Sequence, residues 1–257
     1  MSFLKKAMAT MGIGGAKVNT VLDYNRLEPG AMVRGHIVVM GGSVEQQVDN
    51  VYLKLNTEYK RERDDKTYYE TATVQRVTIP VRQAIGENQR IEIPFEFMLD
   101  YRVPVTHRRS KVWLSTVLDI ASAVDSTDRD YIEVVPHRNV AIILDAIQRE
   151  LRFNLREIEN EYYRYGNGVP FIQEFEFTPT DYFRRSLDEL EVVFEIYEGG
   201  VQMFMEIDKR ARGFGGLIAE AFDFDEKRRC LNLGNYDLSQ GPRYIAGKIS
   251  EFLDRNI

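Results

Sequence analysis

Residues 51–60, VYLKLNTEYK, alternate strictly. Val51, Leu53, Leu55, Thr57 and Tyr59 interleave with Tyr52, Lys54, Asn56, Glu58 and Lys60. Successive side chains of a strand point to opposite faces, so this pattern predicts a strand that buries one face. The stretch RIEIPFEFML repeats it, with Ile91, Ile93, Phe95, Phe97 and Leu99 inward and Glu92 and Glu96 outward. Pro94 has no N–H to give to a ladder and predicts an edge or a bulge. Further strands are predicted at 17–24, 32–40, 68–80, 112–120 and 131–135. Turn residues part them: Glu28-Pro29-Gly30, Gly41-Gly42, Asp64-Asp65 and Gly86-Glu87-Asn88. About seven short strands with such turns predict an antiparallel sandwich.

Pro136 and the tripeptide His137-Arg138-Asn139 break this series and predict a boundary near 136–140. The chain is therefore divided into an N-terminal domain, 1–136, and a C-terminal domain, 137–257. A helix over 140–151 places Ile143, Ile147 and Leu151 on one stripe. Strands at 153–164, 171–178, 188–197 and 201–207 follow, then a short helix over 213–224. The C-terminal helix, 243–257, gathers Ile245, Ile249, Phe252 and Leu253 on one side.

Some of these segments carry a resemblance. Leu27-Glu28-Pro29-Gly30-Ala31-Met32-Val33-Arg34-Gly35-His36-Ile37 resembles the PG-x-x-V-x-G-x-V strand–turn–strand of arrestin-like domains, with Ala31 where Glu is commoner. Ile93-Pro94-Phe95-Glu96-Phe97, followed by Val103-Pro104, resembles their PF-x-F…P strand. Across its whole length the chain is similar to the bacterial sporulation-control proteins, most closely in SFLKKAMATMGIGGAKV, KVWLSTVLDIASAVDSTDRDYIEV, FIQEFEFTP, LDELEVVF and MEIDKRARGFGGL. The resemblance implies an all-β fold of two tandem arrestin-like antiparallel β-sandwich domains with short accessory helices. It also implies a cytoplasmic, non-enzymatic regulator or adaptor acting through protein–protein contacts. The family is linked to control of sporulation and to the cell-division or cytoskeletal machinery.

Composition narrows the remaining classes. Hydrophobic residues make up 44% of the 257, enough for a buried core, and Tyr and Phe at 14 each suit β-structure. The single cysteine, Cys230, excludes an intramolecular disulfide and fits a reducing compartment. No apolar run is long enough to span a membrane, and the N-terminus has neither a secretory hydrophobic region nor the Met-Gly start of myristoylation. Basic and acidic residues balance over 1–136, so the whole net charge of −6 lies in 137–257. Neither half has the basic balance of a nucleic-acid binder.

Candidate chemistry is sparse. His36, His107 and His137 are the only histidines and form no recognisable triad pattern. One cysteine and three dispersed histidines do not make a zinc site. Gly12-Ile13-Gly14 and Gly213-Phe214-Gly215 would need a third glycine where Lys17 and Ile218 stand, so no dinucleotide fingerprint is completed. Arg210 and Arg212 beside the second could hold an anion or simply line a solvent loop. Asp125, Asp128 and Asp130 crowd one segment, but either EF-hand register fails: one puts Asp130 where glycine is required, the other Ile132 at a ligand position. A polar hairpin between strands 112–120 and 131–135 is expected there, without a metal.

Two places remain as site candidates. Asp119 sits between Leu118 and Ile120; pointing inward it would demand an Arg or Lys. Arrestin-like proteins can hold their domains together through buried charge clusters, and Asp119 is the candidate for one, the alternative being an outward-facing strand aspartate. His107, Arg108, Arg109 and Lys111 form a compact basic loop that could meet an acidic partner or a lipid phosphate. Phe3, Leu4, Met8 and Met11, flanked by Lys5 and Lys6, form an apolar face expected to pack on a domain more than on a membrane. No catalytic residue, cofactor or metal is assigned, and the expected partners are other proteins, with no nucleic acid. The second reading is a β-sandwich module binding calcium at 125–130 or anionic lipid at 107–111.

Overall fold

The computed structural model describes residues 15–120, 125–164, 166–209 and 229–257. The N-terminal apolar face, the helix expected over 213–224, and Arg210 and Arg212 lie outside these residues. Backbone contacts divide the chain into two units. The first comprises Met1–Glu58, Tyr69–Thr106 and Ser110–Val135; the second comprises Tyr59–Tyr68, His107–Arg109 and Pro136–Ile257.

The described strands of the first unit are β1 (Lys17–Leu22), β2 (Arg26–Leu27), β3 (Met32–Met40), β4 (Gln46–Arg63), β5 (Lys66–Ile85), β6 (Arg90–Met98), β7 (Val112–Ile120) and β8 (Ser126–Val134). The far end of β4 and the start of β5 are counted in the second unit. β1, β3 and β6 make a three-stranded antiparallel sheet in that order. β4 pairs with β5 on one side and β7 on the other; β8 follows β7, and β2 adds a short parallel rung to β8. Alternation fixes which face is buried. Val51, Leu53, Leu55, Thr57 and Tyr59 are all buried, as are Phe95, Phe97 and Leu99. Pro94 lies on β6, an edge strand, where its missing N–H costs no ladder bond.

The turn Glu28-Pro29-Gly30-Ala31 closes with Ala31 N–H donating to Glu28 O at 3.0 Å, and Gly30 has φ +81°. Pro at the second position and Gly with positive φ at the third define a type II turn. At the tip between β4 and β5, Asp64 and Asp65 both take positive φ, 52° and 56°, as a tight hairpin turn requires.

β8 starts five residues earlier than its hydrophobicity predicts, at Ser126 and not at 131. The reason is that its inward residues serve a strand edge. Val18 N–H of β1 donates to Ser126 Oγ at 3.2 Å, and Thr20 N–H donates to Asp128 Oδ2 at 2.9 Å. Thr20 and Thr116 of β7 also share a hydroxyl–hydroxyl bond at 2.5 Å. Side chains thus satisfy N–H groups that no neighbouring strand reaches. β7 and β8 do pair as a hairpin, but Asp128 and Asp130 lie in its second strand and not in its turn, and only Asp125 precedes β8.

In the second unit, α1 (Arg138–Asp145) runs into a single π turn, Ala146–Glu150. His137 caps α1, its Nδ1 accepting from Asn139 N–H at 3.2 Å. Then come β9 (Phe153–Tyr162), β10 (Phe171–Pro179), β11 (Leu187–Tyr197), β12 (Gly200–Lys209) and β13 (Arg229–Gly234). Each pairs antiparallel with the next. α2 (Asn235–Ser239) and α3 (Pro242–Asn256) close the chain. α3 buries Ile245, Ile249 and Leu253 and packs on α1 and the π turn, so the C-terminal helix is part of the core. Both units are built mainly from β-strands.

Candidate functional site

The basic loop is not uniform. Arg108, Arg109 and Lys111 are exposed, and His107 is half-buried with its Nδ1 facing no hydrogen-bond partner among the described residues. Arg109 is committed within the second unit: its Nη1 lies 3.0 Å from Glu157 Oε1 and 4.0 Å from Glu159 Oε1, both on β9. Arg108 has no ion-pair partner among the described residues.

Asp119 is half-buried on β7. Its cross-strand neighbour is Asn50, and its Oδ2 accepts from Asn50 Nδ2 at 3.3 Å and from the Tyr52 hydroxyl at 3.2 Å. Asp119 alternates with the buried Leu118 and Ile120 and so lies on the outward face of β7, the alternative reading, where neutral donors and no inward Arg or Lys answer it. Burial and the hydrogen bond to Asp119 push the Tyr52 phenol above its ordinary value.

The three acids of the 125–130 segment are likewise occupied or buried. Asp125 Oδ1 accepts from Ile120 N–H at 3.3 Å. Asp128 uses Oδ2 for Thr20 and Oδ1 for Arg129 N–H, the latter at 2.9 Å. Asp130 has a buried Oδ2 with no partner among the described residues. Burial, then the charge of Asp128, pushes its pKa up to about 6.

The second unit carries an acidic sheet face that motif searching missed. Lys60, on the end of β4, pairs with Glu161 by backbone register, and its Nζ lies 3.0 Å from Glu161 Oε1 and 3.6 Å from Glu159 Oε2. Burial raises Glu161 to about 7 despite Lys60, with Glu159 and Glu174 adding to the rise. A bulge where Glu176 gives way to Phe177 throws Arg156 outward, 3.4 Å from Glu176 and 2.9 Å from Glu189. Glu176, Glu189 and Glu191 each bring one carboxylate oxygen within 4.8 Å of the others, a set that could hold a cation. Glu176 is raised to about 7 by burial and by Glu189. The signal was present in FIQEFEF and LDELEVV, where glutamates occupy the positions between buried residues.

The remaining candidates are dispersed. His36 lies on β3 and His137 at the start of α1. Cys230, on β13, is exposed, but burial around its sulfur and the charge of Glu195 push the thiol up, away from thiolate chemistry.

Comparison with known proteins completes the picture. The family model described as Spo0M, SpoOM protein, matches residues 4–211. The chain belongs to the Spo0M family. It is 37% identical over 229 residues to the sporulation-control protein spo0M of Bacillus subtilis strain 168, covering 88% of each chain. The crystal structure of Spo0M from Bacillus subtilis superposes with a TM-score of 0.86 at 32% identity, covering 95% of this chain and 100% of that one. A superoxide reductase from Ignicoccus hospitalis aligns over 52% of this chain and 88% of its own, with a TM-score of 0.27 at 11% identity, and carries no argument. Among the described residues, no helix is long and apolar enough to cross a membrane.

Proposed function

We propose that this Spo0M-family chain is a non-enzymatic regulator of sporulation that acts inside the cell by contacting other proteins. The observation that carries the reading is the similarity to a sporulation-control protein over 88% of both chains at 37% identity. The side chains support a contact mechanism over a chemical one. His137 is used as a helix cap, the Cys230 thiol is pushed up, and His36 and His107 sit on different elements. Arg108, exposed and without an ion-pair partner among the described residues, is the cation offered to an acidic partner.

The test is genetic. The gene is expressed in a Bacillus subtilis strain lacking its own Spo0M, and heat-resistant spores are counted. Restored spore counts are expected, and His36→Gln, His107→Gln, His137→Asn and Cys230→Ser should each restore them too; His137→Asn keeps a capping side chain. Failure of the intact chain to restore counts while it accumulates normally would overturn the regulatory reading. Loss with one of these variants, at unchanged stability, would overturn the non-enzymatic one.

A further inference from the structure

The outward face of β4, β5, β7 and β8 in the first unit holds a cavity of about 490 Å³. That volume falls in the range of small-molecule sites, roughly 300–1,000 Å³. One cross-strand row runs through it. Lys54 on β4 stands opposite Ser115 on β7, and Ser115 stands opposite Arg129 on β8. Strands lie about 4.8 Å apart, so two cations flank one hydroxyl with a gap of about 10 Å between their Cα atoms.

Each member of the row is set for an anion. Among the described residues neither Lys54 nor Arg129 has an ion-pair partner. The Arg129 guanidinium lies 4.8 Å from the centroid of the Trp113 ring, which is itself only 3% exposed. Stacking fixes the guanidinium plane but leaves its in-plane N–H donors open. Below it a hydrogen-bond chain sets the direction of Ser115. Thr73 Oγ1 donates to Asn56 Oδ1 at 2.7 Å, and Asn56 Nδ2 donates to Ser115 Oγ at 3.1 Å. Ser115 thus accepts from below, and its own proton is left to donate into the cavity. The one carboxylate at the wall, Asp128, has turned its oxygens to Thr20 and to the Arg129 backbone.

We propose that this cavity binds a phosphate monoester of a small polyol. Lys54, Ser115 and Arg129 hold the phosphate through charge-assisted hydrogen bonds, the geometry a guanidinium fork and an ammonium serve best. The volume exceeds what the phosphate fills, and the rest is lined by Thr71, Thr73 and Thr127, polar residues that suit a polyol. The site is independent of the protein-contact reading and would stand if that reading fell.

Trp113 is the only tryptophan, so its fluorescence reports on this site alone. The full chain is titrated with glucose 6-phosphate, inorganic phosphate and glucose, following Trp113 emission and, in parallel, heat. Saturable binding of glucose 6-phosphate, weaker binding of inorganic phosphate and none of glucose is expected, with affinity falling as salt rises. Arg129→Gln and Lys54→Gln, followed by calorimetry, should each weaken binding by about tenfold or more. Ser115→Ala keeps both charges and should weaken it less, which guards against a charge variant that fails to fold. Three results would overturn the proposal: no saturation by glucose 6-phosphate up to about 10 mM, equal binding of glucose, or undiminished binding by all three variants.

Discussion

The Tyr52 hydroxyl donates to Asp119 Oδ2 at 3.2 Å, and Asn50 Nδ2 reaches the same oxygen at 3.3 Å. An aspartate in an apolar stretch is thus answered by two neutral groups from β4. Asn in its place keeps an accepting oxygen at that position. Asp119→Asn is therefore expected to cost no more than about 1 kcal/mol, the scale of a hydrogen bond to a charge exchanged for a neutral one. Tyr52→Phe should lower the denaturation midpoint in the wild-type background and much less in the Asp119→Asn background. A loss of several kcal/mol in Asp119→Asn would mean that a buried cation answers the carboxylate.

A second expectation concerns pH. Glu161 and Glu176 are raised to about 7 and Asp130 to about 6, from ordinary values of 4.5 and 3.8. An acid whose folded pKa lies above its unfolded one binds more protons in the folded state between the two. Its ionisation penalises the fold, so stability rises as pH falls through the folded pKa and levels off below the unfolded one. Asp100 has the opposite sign, lowered first by its hydrogen bond with Arg102, but it acts only below the ordinary carboxylate range. The thermal midpoint should therefore be higher at about pH 5.5 than at about pH 8. Glu176→Gln and Asp130→Asn should each raise the midpoint at pH 8 and flatten the slope. A midpoint that falls steadily on acidification from pH 8 would show these carboxyls to be ordinary.

How much of this was legible in the sequence depends on what each residue faces. Val51 to Tyr59 and Ile91 to Leu99 declare their strands because apolar residues on the core-facing side alternate with polar or less buried ones on the other. Ser126 and Asp128 do not, because they point inward at a strand edge and are polar for that reason. β13, short and beside a charged run, went unseen for a related reason: only Leu233 of its residues is buried. Partners were beyond reach altogether. Asp119 meets residues 67 and 69 positions away, and Arg109 meets carboxylates on β9; periodicity carries no information across such distances. The row Lys54–Ser115–Arg129 is invisible for the same reason, since only register brings it together.

Two glycines should respond in opposite directions. Gly30 holds φ +81° and a Cβ there would meet the Tyr101 ring at 2.6 Å. Gly30→Ala is expected to cost about 1–3 kcal/mol, mostly from backbone strain. Gly247 lies inside α3, exposed, with nothing within 4 Å of an added Cβ. Gly247→Ala should stabilise by about 0.5–1 kcal/mol, the helix-propensity difference. Urea denaturation of both variants checks the pair, and equal midpoints would contradict the backbone argument.

The adjacent arginines of the basic loop give the sharpest separation of contact from stability. Arg109 lies 3.0 Å from Glu157 and 4.0 Å from Glu159, yet its side chain is 57% exposed. An exposed pair of this kind stabilises by about 0.2–1 kcal/mol. Arg109→Ala should therefore be mild. Arg109→Glu should cost more, because it sets a third carboxylate against two. Arg108→Glu meets no ion-pair partner within the described chain, so its midpoint should stay within about 0.5 kcal/mol of the parent. Any functional loss at Arg108 is then a loss of contact. In the Bacillus subtilis rescue experiment, Arg108→Glu is expected to lower spore counts at unchanged stability, and Arg108→Lys, which keeps the charge, to restore them. Should Arg108→Glu rescue as well as the parent chain, the loop is not the contact surface and the partner must be met elsewhere.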